Sequence, residues 1–208
     1  MKKIIYFRSV KVIIMKELYS IKKMNRIAPK RGTLLLSEPF LLDPFFKRSV
    51  ILLTEDNENG SVGFVLTQPT DIKINNVMED FPPLDNQLYI GGPVAKNTLH
   101  YIHTLGDKID GSIEILDDLF WGGNFDTLKM LIDTEQIDNT DIKFFIGYSG
   151  WTTEQLKREI EENSWLVAEG NVDKIMMIGT THLWRNILLE MGGEYAMIAN
   201  FPENPILN

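Results

Sequence analysis

The sequence predicts a single α+β domain built on a mixed, largely antiparallel sheet with several flanking helices. Short apolar segments bounded by glycine, proline or asparagine recur along the chain and have the length of strands. A few longer segments instead place apolar residues at helical spacing. Strands and helices are interspersed, several strands are joined by hairpin-like turns, and parallel crossovers are few. This order is typical of the α+β class.

The strand-like segments begin after the first thirty residues. The turn at 56–61 predicts an antiparallel hairpin between the second and third strands. The segment 142–147 is apolar at every position except Lys143 and Gly147, so it should lie in the middle of the sheet. The predicted strands lie at 32–37, 49–55, 61–67, 88–94, 99–105, 111–116, 142–147, 165–169 and 174–179.

Local capping signals mark the helices. Asn124 precedes an apolar helical stripe and should be an N-cap. Thr152 and Gln155 have the spacing of a capping box, and Trp151 and Leu156 that of a hydrophobic staple. The helix at 181–191 should end at Gly192.

Two further segments carry prolines. We predict a short helix within 71–83, ended by the proline pair at 82–83. Prolines at 202 and 205 predict that the chain from residue 195 onward is extended.

Charge divides the chain into two parts. Residues 1–31 carry ten basic residues and one acidic residue. Residues 32–208 then carry 11 basic and 28 acidic residues, for a net charge of −17. We therefore divide the chain into a basic N-terminal extension (1–31) and a domain (32–208). An acidic domain repels phosphate backbones, so direct binding of nucleic acid is disfavoured.

The same composition limits location and assembly. The chain contains no cysteine, which excludes disulfides, thiolate metal sites and a cysteine nucleophile and agrees with a reducing compartment. The N-terminal apolar segment is interrupted by basic residues and is too short to span a bilayer. We expect a cytoplasmic protein without a membrane span, monomeric or weakly oligomeric, with an unidentified protein or small-molecule partner.

The candidate site lies where the strand at 142–147 meets the next helix. Glycines at 147 and 150 should let the chain reverse sharply there. Free amide groups at the helix start could then hold an anion or a carboxylate beside Tyr148 and Ser149. A Gly-Gly-Pro turn could expose further amides. The candidate contact surface comprises Gly91, Gly92, Pro93, Tyr148, Ser149 and Trp151.

Three other kinds of chemistry have weaker support in the sequence. A serine hydrolase using Ser149 is the alternative function, since Gly147 and Ser149 match part of a nucleophile elbow, although Trp151 occupies the place of its last glycine. His100 and His103 have metal-ligand spacing only on a helix; on a strand their side chains point to opposite faces. Since we predict a strand there, we predict no metal site. No nucleotide-binding glycine motif is present, and we predict no cofactor.

Several segments together resemble the AlgH/YqgE family of bacterial proteins. They are 32–70, 89–94, 99–107, 147–165 and 183–208, in the order in which the family has them. The resemblance implies a single-domain α+β fold whose mixed sheet is bifurcated and curls towards a barrel. It also implies a family with no established enzymatic activity and a label as a transcriptional regulator, taken from a role in alginate synthesis. Family members begin close to Met15, so residues 1–14 are predicted to lie upstream of the native start.

Overall fold

Ten strands form one mixed sheet in the part of the chain that the structure describes. The structure is a computed structural model, and it describes residues 21–177 and 182–203. The strands are β1 (Leu34–Ser37), β2 (Val50–Asn57), β3 (Gly60–Val65), β4 (Pro69–Lys73), β5 (Gln87–Ile90), β6 (Val94–His103), β7 (Ile113–Leu116), β8 (Leu119–Trp121), β9 (Ile142–Trp151) and β10 (Trp165–Ala168).

The sheet divides at β9. Its order is β10-β1-β2-β3-β9-β6-β8-β7, and β5, with β4 beside it, also pairs with β9. β6 is antiparallel to β9, whereas β5 is parallel to β9 over Phe144–Ile146 and β3 is antiparallel over Ser149–Trp151. The β2–β3 hairpin is present as predicted. The sheet is therefore mixed and bifurcated, and across the described residues it is not closed into a barrel.

Helices flank the sheet, and two of them begin at the predicted caps. They are α1 (Ile21–Met24), α2 (Phe125–Asp133), α3 (Thr153–Glu161), α4 (Val172–Met176), α5 (Leu183–Met191) and α6 (Gly193–Ala199). The Asn124 side chain accepts a hydrogen bond from the Thr127 amide, and the Thr152 hydroxyl accepts one from the Gln155 amide. Gly192 ends α5 with a φ of 68°, which is the left-handed region that favours glycine.

Side chains from the two faces of β9 enter different cores. Phe145 packs in the first core, between the sheet and α5 and α6, while its neighbour Phe144 packs in the second core, against α2. The third core lies under α3 and contains Trp151, Leu156 and Trp165. Adjacent residues of a strand point to opposite faces, so a central strand must be apolar at consecutive positions.

Three secondary-structure predictions were wrong. The segment 71–83 contains the end of β4 and a single 3₁₀ turn, Ile74–Asn76, instead of a short helix. In the segment 174–179, the first three residues belong to α4, Met177 follows the helix, and the last two residues lie outside the described residues. The C-terminal segment is helical to Ala199, because its prolines come later; residues 204–208 lie outside the described residues. In addition, β8 was not predicted.

The predicted sharp reversal at Gly147 was also wrong. β9 continues through Gly147 to Trp151, and its second half pairs with β3. Gly147 has a φ of +66°, and a Cβ there would lie 2.7 Å from the Val94 carbonyl oxygen. The glycine thus allows β6 to approach a distorted point of β9 rather than turning the chain back.

Packing begins before the predicted domain boundary at residue 32. Ile21 and Met24 are buried in the first core. The Asn25 side chain donates to the Trp165 carbonyl and accepts from the Val167 amide, at 3.0 and 2.8 Å. It thereby covers the outer edge of β10. Residues 21–31 are basic, but they are attached to the fold; the predicted upstream segment 1–14 lies outside the described residues.

Candidate functional site

Most of the predicted site residues make hydrogen bonds or close packing contacts within the protein. Ser149 is buried within β9, and its hydroxyl donates to the Gly91 carbonyl at 3.2 Å. The Gly91 amide donates to the Ile146 carbonyl at 2.9 Å, and the Gly91 carbonyl also accepts from the Val65 amide. The polar groups of this pair are therefore used in joining three strands.

Gly92 is required by close backbone packing. A Cβ at this position would lie 2.0 Å from the Tyr148 carbonyl carbon and 2.2 Å from the Ser149 nitrogen. No side chain fits at such distances, so glycine lets the turn after β5 lie directly against β9. Pro93, which follows, is exposed.

Trp151 is held by a carboxylate that two indoles share. Its indole Nε1 donates to Glu159 Oε2 at 2.9 Å, and the indole of Trp165 donates to the same oxygen at 2.8 Å. The two rings meet edge to face, with centroids 6.0 Å apart. Gln155 Nε2 donates to the other oxygen of Glu159, so Gln155 does not complete the reciprocal half of the predicted capping box. The ring of Trp151 is thus part of the attachment of α3 to the sheet.

Three of the six predicted residues line a common cleft. Pro93, Ser149 and Trp151 border a cavity of about 400 Å³, together with Glu159 and Trp165. The hydroxyl, carboxylate and indole groups that reach this cavity already have partners within the protein. Gly91, Gly92 and Tyr148 do not line it.

Tyr148 connects the predicted site to a larger cleft nearby. Its half-buried ring meets the His100 ring edge to face, with centroids 5.9 Å apart. His100 borders a cavity of about 710 Å³, which we call the β6 cleft. The β6 cleft is lined by Val77, Met78, Lys96, Asn97, Thr98, Leu99, His100, Tyr101, Trp121, Gly122, Gly123, Phe125 and Ile146.

The β6 cleft lies along one strand and reaches both faces of the sheet. Leu99 and Ile146 pack against the second core, on one face. His100 lies on the opposite face, where its ring is 5.2 Å from that of Phe64 and 6.3 Å from that of Trp121. Residues of both faces can border one cleft only where the strand between them is an edge. Most of the lining is apolar, and Lys96 is its one charged residue.

His100 offers a hydrogen-bond acceptor beside this cleft. The Thr98 hydroxyl donates to the Ala95 carbonyl at 2.7 Å, so towards the imidazole it can only accept. His100 Nε2, 2.9 Å away, must therefore carry the proton. Burial lowers the pKa of His100, because it disfavours the charged form of the ring. Nδ1 is then an acceptor, and no residue within the described ranges donates to it.

The second histidine has a structural role. His103 is fully buried, its Nδ1 accepts from the Leu105 amide, and its Nε2 lies 3.0 Å from the Gly122 carbonyl. Burial lowers its pKa. His100 and His103 lie on opposite faces of β6, as the strand assignment requires. Among the described residues, no group of three or more histidine, cysteine or carboxylate side chains is arranged to hold a metal ion.

Comparison with known proteins places the chain in a family. A sequence profile described as AlgH-like matches residues 34–196. The chain belongs to the AlgH-like family. A UPF0301 protein from Chlorobium limicola is 43% identical over 188 residues, which are 90% of this chain and 100% of that protein. A UPF0301 protein from Chlorobaculum tepidum is 42% identical over 179 residues, which are 86% of this chain and 96% of that protein.

Solved structures show the same AlgH-like fold. A crystal structure of a protein from Corynebacterium diphtheriae superposes with a TM-score of 0.74 at 23% identity, covering 87% of this chain and 97% of that one. The solution structure of AlgH from Pseudomonas aeruginosa superposes with a TM-score of 0.64 at 23% identity, covering 86% and 98%. At this level of identity the likeness concerns the fold.

Most residues of the β6 cleft were missed from the sequence. From the sequence, His100 was interpreted only as a possible metal ligand. A usable signal was present, since the polar residues 96–98 precede an apolar strand and are typical of a strand that begins at a sheet edge.

Within the described ranges, no helix has the length and apolar character needed to cross a bilayer.

Proposed function

We propose that this AlgH-like protein is a non-enzymatic binding protein whose ligand occupies the β6 cleft. The observation that carries the proposal is the cleft itself: about 710 Å³, mostly apolar, open along a strand edge and bordered by an imidazole with an unused acceptor nitrogen. An apolar cavity of this size with a few polar groups is typical of a ligand site. The ligand would combine an apolar body with a hydrogen-bond donor for His100 and an anionic group for Lys96.

The smaller cleft beside Trp151 supports this proposal less well. Its volume is about 400 Å³, and its polar side chains are paired with one another. Binding there would have to break those bonds or leave them unused. We therefore propose that Ser149, Trp151 and the Gly91–Gly92 turn hold β9 in place. Tyr148 packs against the His100 ring and positions it.

The alternative of a serine hydrolase has little support. Ser149 lies within a strand instead of at a strand-to-helix elbow, and its proton is donated to the Gly91 carbonyl. His100 Nε2 is hydrogen-bonded to Thr98, and His103 Nε2 is hydrogen-bonded to the Gly122 carbonyl, so neither nitrogen is bonded to Ser149. His182 is exposed at the start of α5. No histidine in the described part of the chain hydrogen-bonds to Ser149.

We propose a regulatory role through ligand or partner binding, in the cytoplasm and without direct contact to DNA. The acidic charge of residues 32–208 opposes binding to a phosphate backbone. The helices α2 and α5 each contain a single basic residue, Lys129 and Arg185, so neither presents a basic recognition face. The absence of cysteine is in keeping with a reducing compartment.

A fluorescent dye can test the β6 cleft directly. The dye 8-anilinonaphthalene-1-sulfonate combines apolar rings with one anionic group, so it should bind the folded protein saturably at one site. Val77 is 48% exposed in the wall of the cleft. Val77→Asp places a carboxylate against the bound rings and should weaken binding about tenfold or more, equivalent to about 1.4 kcal/mol. Fluorescence titration measures the change.

Met197→Asp is the matched control. Met197 is 46% exposed on α6 and does not line the cleft, so the variant should bind the dye as the wild type does. Thermal unfolding followed by circular dichroism would verify that both variants are folded. Equal dye affinity in the wild type and both variants would show that the dye binds elsewhere and would overturn the proposal.

A further inference from the structure

The outer edge of β6 lacks a strand partner within the β6 cleft. On that side β6 pairs with β8 only through Ile102 and His103. The last contact is the Gly122 amide, which donates to the Tyr101 carbonyl at 3.0 Å. β8 is three residues long and ends at Trp121, whereas β6 begins at Val94. No strand in the described ranges continues the ladder alongside residues 96–100.

Strand geometry fixes which backbone groups are available there. The Tyr101 carbonyl points away from β9, and the backbone groups of alternate residues point to the same side of a strand. The amide and carbonyl of Leu99 therefore point into the cleft. The register irregularity in the β6–β9 ladder lies between Val94 and Leu99, so it does not interrupt the stretch from Leu99 to Tyr101.

Another edge of the same sheet is covered. At β10, the Asn25 side chain bonds to the Trp165 carbonyl and the Val167 amide and so takes the place of a neighbouring strand. Natural sheets usually protect their edges in such ways, because an uncovered edge is a template for another strand. The edge of β6 is instead bordered by an apolar cleft.

We propose that the β6 cleft binds an extended peptide of a partner protein, which adds to β6 as a further strand. This inference rests on the proposed function and specifies its ligand. The Leu99 amide and carbonyl would form the central pair of hydrogen bonds, and alternate apolar side chains of the peptide would contact Val77, Phe125 and Trp121 on the walls.

Charge favours a foreign peptide that ends in a carboxylate. Lys96 is the one charged residue lining the cleft, and it lies at the N-terminal end of the free edge. A peptide running antiparallel to β6 would bring its C-terminal carboxylate to that end. A second copy of this chain is a poorer occupant. Residues 32–208 carry a net charge of −17, so two copies of this domain would repel each other.

N-methylated peptides provide the test on the unmodified protein. The probe is a fluorescein-labelled octapeptide of alternating valine and threonine with a free C-terminal carboxylate, and binding is measured by fluorescence anisotropy. In an added strand only every second amide faces β6. One set of alternate N-methyl groups should therefore abolish binding, and the complementary set should leave it within about threefold. Equal loss for both sets, or no binding by the unmethylated peptide, would overturn strand addition.

Two variants test the assigned residues. Lys96→Glu should weaken binding of the free-acid peptide about tenfold and leave the C-terminally amidated peptide unaffected. Leu99→Pro removes the amide that faces the cleft without removing a hydrogen bond to β9, and it should lose peptide binding while its far-ultraviolet circular dichroism is retained. If Leu99→Pro is unfolded, the N-methylated pair on the wild type still decides the question.

Different results would contradict peptide binding and ligand binding in the β6 cleft. Dye binding that Val77→Asp removes, combined with no peptide binding, would contradict strand addition and leave the binding function in place. Sedimentation velocity gives the remaining outcome. A dimer that dissociates in the Leu99→Pro variant would identify a second copy as the occupant and overturn the assignment to a partner peptide.

Discussion

Lys143 lies in an environment that disfavours the charged form of a lysine. It lies on β9, 3% exposed, and its Nζ donates to the Ile175 and Met177 carbonyls at 2.8 and 3.0 Å. The nitrogen is 4.8 Å from the centroid of the Tyr89 ring. Burial lowers the pKa of Lys143 to about 7. Two carbonyl acceptors suffice for a neutral amine, so the side chain joins β9 to the end of α4 with or without its charge.

The lowered pKa predicts a stability that depends on pH. In the unfolded chain the lysine has a pKa near 10.4, so between pH 7 and about 10 the unfolded state binds more protons than the folded state. The free energy of unfolding should therefore rise with pH, by at most about 1.4 kcal/mol per pH unit. Urea unfolding at pH 7, 8 and 9 measures the slope. This range lies below the titration of Tyr101, whose pKa burial raises to about 12.

Substitution of the lysine isolates its contribution. Lys143→Met keeps the length of the side chain and removes the titrating group, so the rise in stability between pH 7 and 9 should disappear. Lys47 is an exposed lysine, and Lys47→Met should keep the wild-type slope. An unchanged slope in Lys143→Met would contradict the assignment.

At the scale of elements, α3 is attached to the sheet by Glu159. Glu159→Leu leaves the indole nitrogens of Trp151 and Trp165 without their acceptor. Loss of these charge-assisted bonds should lower the free energy of unfolding by about 2–3 kcal/mol and shift tryptophan emission. Glu161→Leu makes the same change at an exposed position of α3 and should alter stability by less than about 0.5 kcal/mol. Equal effects of the two substitutions would mean that the shared carboxylate does not hold the helix.

At the scale of the whole molecule, charge predicts weak binding to DNA. The chain has a net charge of −8, and the residues from 32 onward carry −17. The full chain should show no retention on a 30-base-pair duplex at about 0.15 M salt, where charge interactions reach only about 8 Å. An electrophoretic mobility assay with a basic DNA-binding protein as positive control measures this. Binding that falls steeply as salt is raised would contradict the prediction and support direct DNA contact by the basic N-terminal segment.

The sequence by itself determined the features that depend on near neighbours in the chain. The helix starts at Asn124 and Thr152 and the helix end at Gly192 are caps, in which every partner lies within a few residues. The central position of β9 followed from apolar residues at consecutive positions. The α+β class followed from the order of such segments.

Only the tertiary structure decided where ligand-accessible surface lies. The glycines around Ser149 suggested an open turn, but Gly92 and Gly147 serve the close approach of strands that are more than fifty residues apart. The β6 cleft exists because β8 ends at Trp121 and leaves part of β6 without a partner. Strand pairing joins residues that are distant in the chain, and no local propensity specifies which backbone groups remain unpaired once the sheet has formed.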